Sequence, residues 1–186
     1  MWLQLLKSPL MLGLSWMLIL AVITDLGARK IPNSIVVFGL VASLVCQLVS
    51  TEGAGGLNWL AGVVVAFACF IPLYVLRGMA AGDVKLMMAV GGFLGYPLII
   101  KAVVCVFLAG GVSAIVFVLL SGRFKLLIQN MRLMLTDIYI KSTSGVNVAD
   151  DYVMKNSVGR MPYALAIAVG TGIAVYLETT GSNFLK

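Results

Sequence analysis

The chain has 186 residues, of which 61% are hydrophobic and 11% charged, and its mean hydropathy is +1.08. Soluble domains carry roughly 25% charged residues, so this composition excludes an ordinary soluble fold and indicates one compact integral membrane helical bundle over residues 1–186. The absence of histidine excludes imidazole catalysis and His-ligated metals, and the net charge of +6 reads as membrane orientation rather than nucleic-acid binding.

A spanning helix needs about 20 mostly apolar residues. Six stretches qualify in chain order, at about 4–24, 31–50, 57–76, 84–99, 102–120 and 161–179. The first carries Lys7 and is apolar to Ile23, which resembles a secretory signal in outline. It exceeds the roughly 7–15 apolar residues of such a signal and lacks a small-x-small cleavage site, so it is kept as a span. The fourth is short and glycine-rich, ends at Tyr96-Pro97, and leaves a gap of a few residues around Lys101. Alternation of the kind a barrel needs is absent. The expected fold is therefore all-α, with about six transmembrane helices.

The segment 121–160 is the one long polar-flanked connection. Phe124, Leu127, Ile128, Met131, Leu135 and Ile138 recur at helical spacing, with Lys125, Gln129, Arg132 and Asp137 between them. This pattern predicts an amphipathic helix on an anionic leaflet, followed by a polar loop.

With the N-terminus placed outside, the inner side holds Arg29, Lys30, Arg77, Lys85, Arg123, Lys125, Arg132, Lys141, Lys155 and Arg160. The outer side keeps Lys7, Lys101 and Lys186. This bias sets the orientation by the positive-inside rule, with 121–160 as a cytosolic loop. Cys46, Cys69 and Cys105 stand singly within apolar runs, with no C-x-x-C spacing, so no metal site is expected.

Two aspartates stand out against this apolar background. Asp25 follows the first span and Asp83 opens the fourth, so both reach the cytosolic face. An acid at a membrane boundary is costly and marks a functional site by default. The C-terminal end of a helix carries partial negative charge, which makes Asp25 a poor structural choice there. Asp83 is explained equally well as an N-cap of the fourth span. Two carboxylates that meet share a proton, and one then activates water while the other polarises a carbonyl.

Neighbouring residues shape that reading. Pro32 suits a helix start, and Asn33 offers a donor and an acceptor near Asp25. Gly78 and Gly82 are four residues apart, as are Gly91 and Gly95, a spacing that lets membrane helices approach closely. Gly82 also leaves room beside Asp83 for a substrate chain. Lys85 points to another face of the helix, as a topology anchor or a tuning charge.

Asp25-Leu26 with Lys30-Ile31-Pro32-Asn33, and Gly78-Met79-Ala80-Ala81-Gly82-Asp83-Val84-Lys85-Leu86, resemble the two active-site motifs of the type IV prepilin peptidases, membrane aspartyl proteases of the GxGD type. Arg160-Met161-Pro162-Tyr163-Ala164-Leu165-Ala166 resembles that family's final-span signature. The resemblance implies removal of short basic leaders from prepilins and pseudopilins at the cytosolic membrane face. It implies Asp25 and Asp83 as the catalytic pair, Gly82 as part of the motif, and no cofactor. Ala80 replaces the motif's first glycine, and the added methyl is expected to narrow the site, to alter substrate choice or, at the extreme, to disable it. The cysteine-rich cytosolic domain of the methylating members is lacking, so the chain is similar to the short peptidases of tight-adherence (Flp) pilus systems. It is expected to be a multi-pass protein of the bacterial inner membrane without N-methyltransferase activity.

Three other readings stand beside it. One is a peptidase of the same chemistry acting on another pilin or a flagellin. Another is a small proton-coupled transporter, against which counts the boundary position of both acids, since transporter sites lie near the midplane. The third is a non-catalytic membrane assembly subunit.

Overall fold

A computed structural model describes residues 9–50, 55–76, 78–121 and 163–184. Among these residues there are six helices and no strand: α1 (Pro9–Ala28), α2 (Asn33–Ser50), α3 (Gly55–Val75), α4 (Ala81–Leu94), α5 (Leu98–Ser121) and α6 (Ala164–Phe184). The expected all-α class is thus observed. The amphipathic helix expected within 121–160 lies outside the described residues, apart from Ser121 at the end of α5.

Residues 1–110 and 162–186 form one compact unit, and 111–161 form another, whose described part is the last portion of α5. The first unit carries both aspartates.

Pro9–Ala28, Gly55–Val75 and Leu98–Phe117 are long and apolar enough to cross a membrane, and Asn33–Val49 and Ala164–Thr180 are shorter apolar helices. Their outer surface is apolar: Trp16, Phe38, Val49 and Leu57 are all largely exposed. A soluble monomer does not present so much contiguous apolar surface, whereas lipid tails accept it.

The helix α4 is different. Its 14 residues rise only about 21 Å, less than the roughly 30 Å of a hydrocarbon core. Ten of the 14 are buried, among them Leu86, Met87, Val90 and Phe93, which makes α4 the central element of the first unit. It packs on α1, α2, α3 and α6.

Its closest partner is α3. A Cβ on Gly62 would land on the carbonyl oxygen of Gly91, and a Cβ on Gly91 would land on that of Gly62. The two backbones therefore touch, as small residues permit in membrane helices. Gly78 and Gly82 make no such approach. Gly78 lies in the turn before α4, where its N–H donates to Leu73 O at 2.8 Å, and a Cβ on Gly82 would meet Ile31 at an ordinary 3.5 Å. The close-packing role thus falls to Gly91 with Gly62 rather than to the Gly78/Gly82 pair.

The end of the bundle opposite the aspartates is tied by polar bonds. Trp59 Nε1 donates to Ser43 Oγ at 2.8 Å, and the N–H of Tyr96 donates to Asn58 Oδ1 at 2.9 Å. Gln47 Nε2 reaches the carbonyls of Gly92 and Phe93 at 3.4 Å. Buried polar groups need such partners, and here they link α2, α3 and the end of α4.

The break between the fourth and fifth helices falls at Gly95–Pro97, earlier than the gap around Lys101 read from the sequence. Gly95 has φ +65°, which a residue without Cβ adopts freely. Lys101 lies inside α5 and pairs with Glu178 of α6.

Candidate active site

The aspartate end of the bundle is assembled from the end of α1, the starts of α2, α4 and α6, and the turn before α4. Asp25 is in the last turn of α1, not beyond it as the hydropathy pattern suggested, because the helix continues to Ala28. It stops there through a left-handed residue, Arg29 (φ +50°), whose N–H donates to Asp25 O at 2.9 Å. This is the usual way to close a helix, with Arg where glycine is common.

The Asp25 side chain is buried, at 7% exposure. Its Oδ2 accepts the N–H of Ala164 at 3.0 Å, across 139 residues of sequence. Ala164 is the first residue of α6, so its N–H has no partner within that helix. A carboxylate there satisfies the donor and sits at the positive end of the helix dipole. Asp25 is therefore unfavourable for its own helix and favourable for α6, and the tertiary bond outweighs the local cost.

Asp83 is buried to the same degree, at 6% exposure. An N-cap of the fourth helix is one of the two expectations for it. The cap is instead Ala80, and Asp83 occupies the third helical position. From there its Oδ2 accepts the N–H of Ala80 at 3.1 Å, while its own N–H donates to Ala80 O at 3.1 Å. This is the carboxylate half of a capping box, and alanine supplies no side-chain oxygen for the other half. The bond fixes the Asp83 rotamer against the turn.

The two carboxylates lie within electrostatic reach of each other. Tyr163, immediately before α6, lies within reach of the Asp83 charge. Its hydroxyl fits against Gly110, where a Cβ would collide with it. Ala164 and Tyr163 escaped the residue-by-residue reading as site members. The late Arg160–Ala166 segment was their only sequence signal, because a backbone N–H leaves no trace in residue type.

Asn33 and Lys85 bond to one another, with Lys85 Nζ donating to Asn33 Oδ1 at 3.1 Å. The pair joins the start of α2 to the second turn of α4. Pro32 stands just before α2, and its carbonyl accepts the N–H of Ile35 at 3.2 Å. Gly82 faces Ile31. Of the residues singled out in the sequence, Asp25 and Asp83 are both buried at this end of the bundle, Asn33 and Lys85 form a more exposed clasp, Pro32 and Gly78 lie in the turns, and Gly82 lies in the first turn of α4.

Ala80 has φ −82° and ψ 154°, an extended conformation open to any residue, and it is exposed. No backbone requirement for glycine exists at this position. Ala80→Gly is expected to leave the cleavage rate within about twofold of wild type, as for other exposed substitutions, when the two proteins are compared at equal membrane levels.

Among the described residues no group of three or more His, Cys, Asp or Glu side chains is placed to hold a metal. The arrangement offers two buried carboxylates, each held through one oxygen by a backbone N–H. Such a pair can take a proton from water and donate one to a carbonyl.

The model of the family described as the type IV leader peptidase family matches residues 12–119, which include both aspartates. No curated protein and no solved structure matches the chain.

Proposed function

The chain belongs to the type IV leader peptidase family, and we propose that it removes the basic leader of Flp-type (type IVb) prepilins and pseudopilins with Asp25 and Asp83 as its catalytic pair. The observation that supports this reading is the burial of two carboxylates, one in the last turn of α1 and one in the first turn of α4, at the same end of the bundle.

In the proposed reaction one aspartate is ionised and the other protonated. The ionised carboxylate takes a proton from water as the water oxygen bonds to the scissile carbonyl carbon. The protonated partner donates to the carbonyl oxygen. The C–N bond then breaks as a proton passes to the leaving nitrogen, giving a new carboxylate on the leader and a new amine on the pilin. Such acid–base pairs give bell-shaped profiles. Accordingly, kcat/KM in reconstituted vesicles should rise and then fall with pH. A flat profile from acid to alkaline conditions contradicts a shared proton.

The basic residues on the inner side support an active site facing the cytosol and a place in the bacterial inner membrane. The lack of a cysteine-rich cytosolic insertion supports the short, non-methylating form. The reading is tested by co-expressing the chain with a Flp-type prepilin, another type IV prepilin and a leader-bearing flagellin. Selective shortening of the Flp-type substrate is expected, with no methyl transfer from S-adenosylmethionine. Preferential cutting of another substrate overturns the substrate assignment, and failure to cut any of them overturns the peptidase reading.

A further inference from the structure

A groove of about 680 Å³ runs between α1 and α6. On α1 it extends from Met11 to Ile23, about 18 Å of helix. On α6 it begins at Leu165, the residue after the Ala164 that holds Asp25. One end of the groove thus lies within a turn of a candidate catalytic carboxylate, and the rest runs along two apolar helices.

Three features of its wall concern what fills it. Ala168 and Gly172 are four residues apart on α6, and a Cβ on Gly172 would meet no atom within 4 Å. Ala168 packs partly against the core, while Gly172 is not consumed by helix contacts inside the bundle, and small residues at this spacing admit the backbone of another helix. Thr171, also on the wall, is 1% exposed, and its hydroxyl has no hydrogen-bond partner. A buried hydroxyl without a partner is costly, and an acceptor brought to this wall would offset that cost. A lipid acyl chain carries no acceptor along its length, whereas a peptide helix carries carbonyls and side chains.

We propose that this groove seats the apolar helical segment of the prepilin that follows the scissile bond, with its N-terminal end delivered to Asp25. The proposal rests on the leader peptidase reading above and assigns the substrate half on the pilin side. It makes α1 and α6 both the support of the catalytic aspartate and the track that positions the peptide.

Gly172→Phe tests it, because a Cβ there meets no atom within 4 Å and the residue lines the groove that the ring would fill. Wild type and variant are reconstituted at equal levels and given two substrates: a full-length Flp-type prepilin, and a soluble leader peptide ending a few residues past the cut. Loss of kcat/KM by tenfold or more on the prepilin, with the soluble peptide cut equally by both enzymes, supports the proposal. Equal rates on the prepilin, or equal losses on both substrates, overturn it; the second outcome would mean that filling the groove disturbs the site itself or displaces a lipid. A photo-cross-linking residue at Ile19, in the wall, should capture the uncleaved prepilin in an Asp83→Asn background, while one at Phe38, on the exposed surface of α2, should not. Absence of the Ile19 adduct also overturns the proposal. If wild type cuts neither substrate, the peptidase reading itself fails and the groove assignment falls with it. If it cuts only the prepilin, the cross-link decides.

Discussion

Asp25→Asn and Asp83→Asn should each stop leader cleavage while leaving the protein folded in the membrane. Loss of a positioned acid or base costs about 100- to 10,000-fold in rate, so both variants should fall to the background of a membrane assay. The structural argument for choosing asparagine is local. Asp25 accepts the Ala164 N–H and Asp83 accepts the Ala80 N–H, each through Oδ2. The asparagine side-chain carbonyl can take the same bond, so the start of α6 and the turn before α4 keep their cap. Alanine removes the acceptor and leaves a helix N–H unpaired, which mixes a folding defect with a chemical one. Size-exclusion of detergent extracts separates the two effects. The Asn variants should elute as wild type and fail to cut. An Asn variant that cuts at the wild-type rate shows that its carboxylate is not part of the chemistry.

Gly91→Leu should have the largest effect on folding. At this point α3 and α4 touch through Gly62 and Gly91, and a side chain on either residue meets the other's backbone. A backbone cannot rotate away as a flexible side chain can, so the helices must separate. Overpacking a core commonly costs about 1–3 kcal/mol and more where nothing relaxes. The consequence travels to the site, because α4 carries Asp83 in its first turn and packs on four other helices. The expected result is loss of the monodisperse peak and of cleavage together. Gly172→Leu, in open space, is the control and should retain the peak. A Gly91→Leu protein with the wild-type elution and melting temperature contradicts the proposed packing.

The fold class was legible in this sequence because its signal is cumulative: a run of about 20 apolar residues is the same signal wherever it falls. Helix boundaries were less legible. The first helix runs past Asp25 to Ala28, since a charged residue in the last turn is decided by its partner and not by hydropathy. That partner, the N–H of Ala164, is 139 residues away. The start of the fourth helix was also hard to read, because Ala80 caps it without any favoured side chain and Asp83 stands at its third position instead. Asp83 was drawn to attention by its charge and by the glycine before it, which are local features. Its burial at the same end of the bundle as Asp25 is a tertiary feature that hydropathy restricts only to the same membrane face. The clasp of Lys85 with Asn33 was missed for a similar reason. Two polar residues at helix starts are each readily explained by water, and only the packing of α2 on α4 pairs them.

Ala80 shows the opposite relation. In the sequence it was the main departure from the GxGD pattern and a reason to expect a narrowed site. In the structure its backbone is extended and the residue is exposed, so the alanine is accommodated without strain.

The measurement that bears most directly on a two-aspartate leader peptidase is the intact mass of a Flp-type prepilin recovered from membranes that contain this chain. Wild type should yield a pilin shortened by its leader, with a free new N-terminal amine. The double variant Asp25→Asn/Asp83→Asn, at equal expression, should yield the full-length prepilin alone. Shortened pilin from the double variant, or full-length prepilin alone from wild type, contradicts the account.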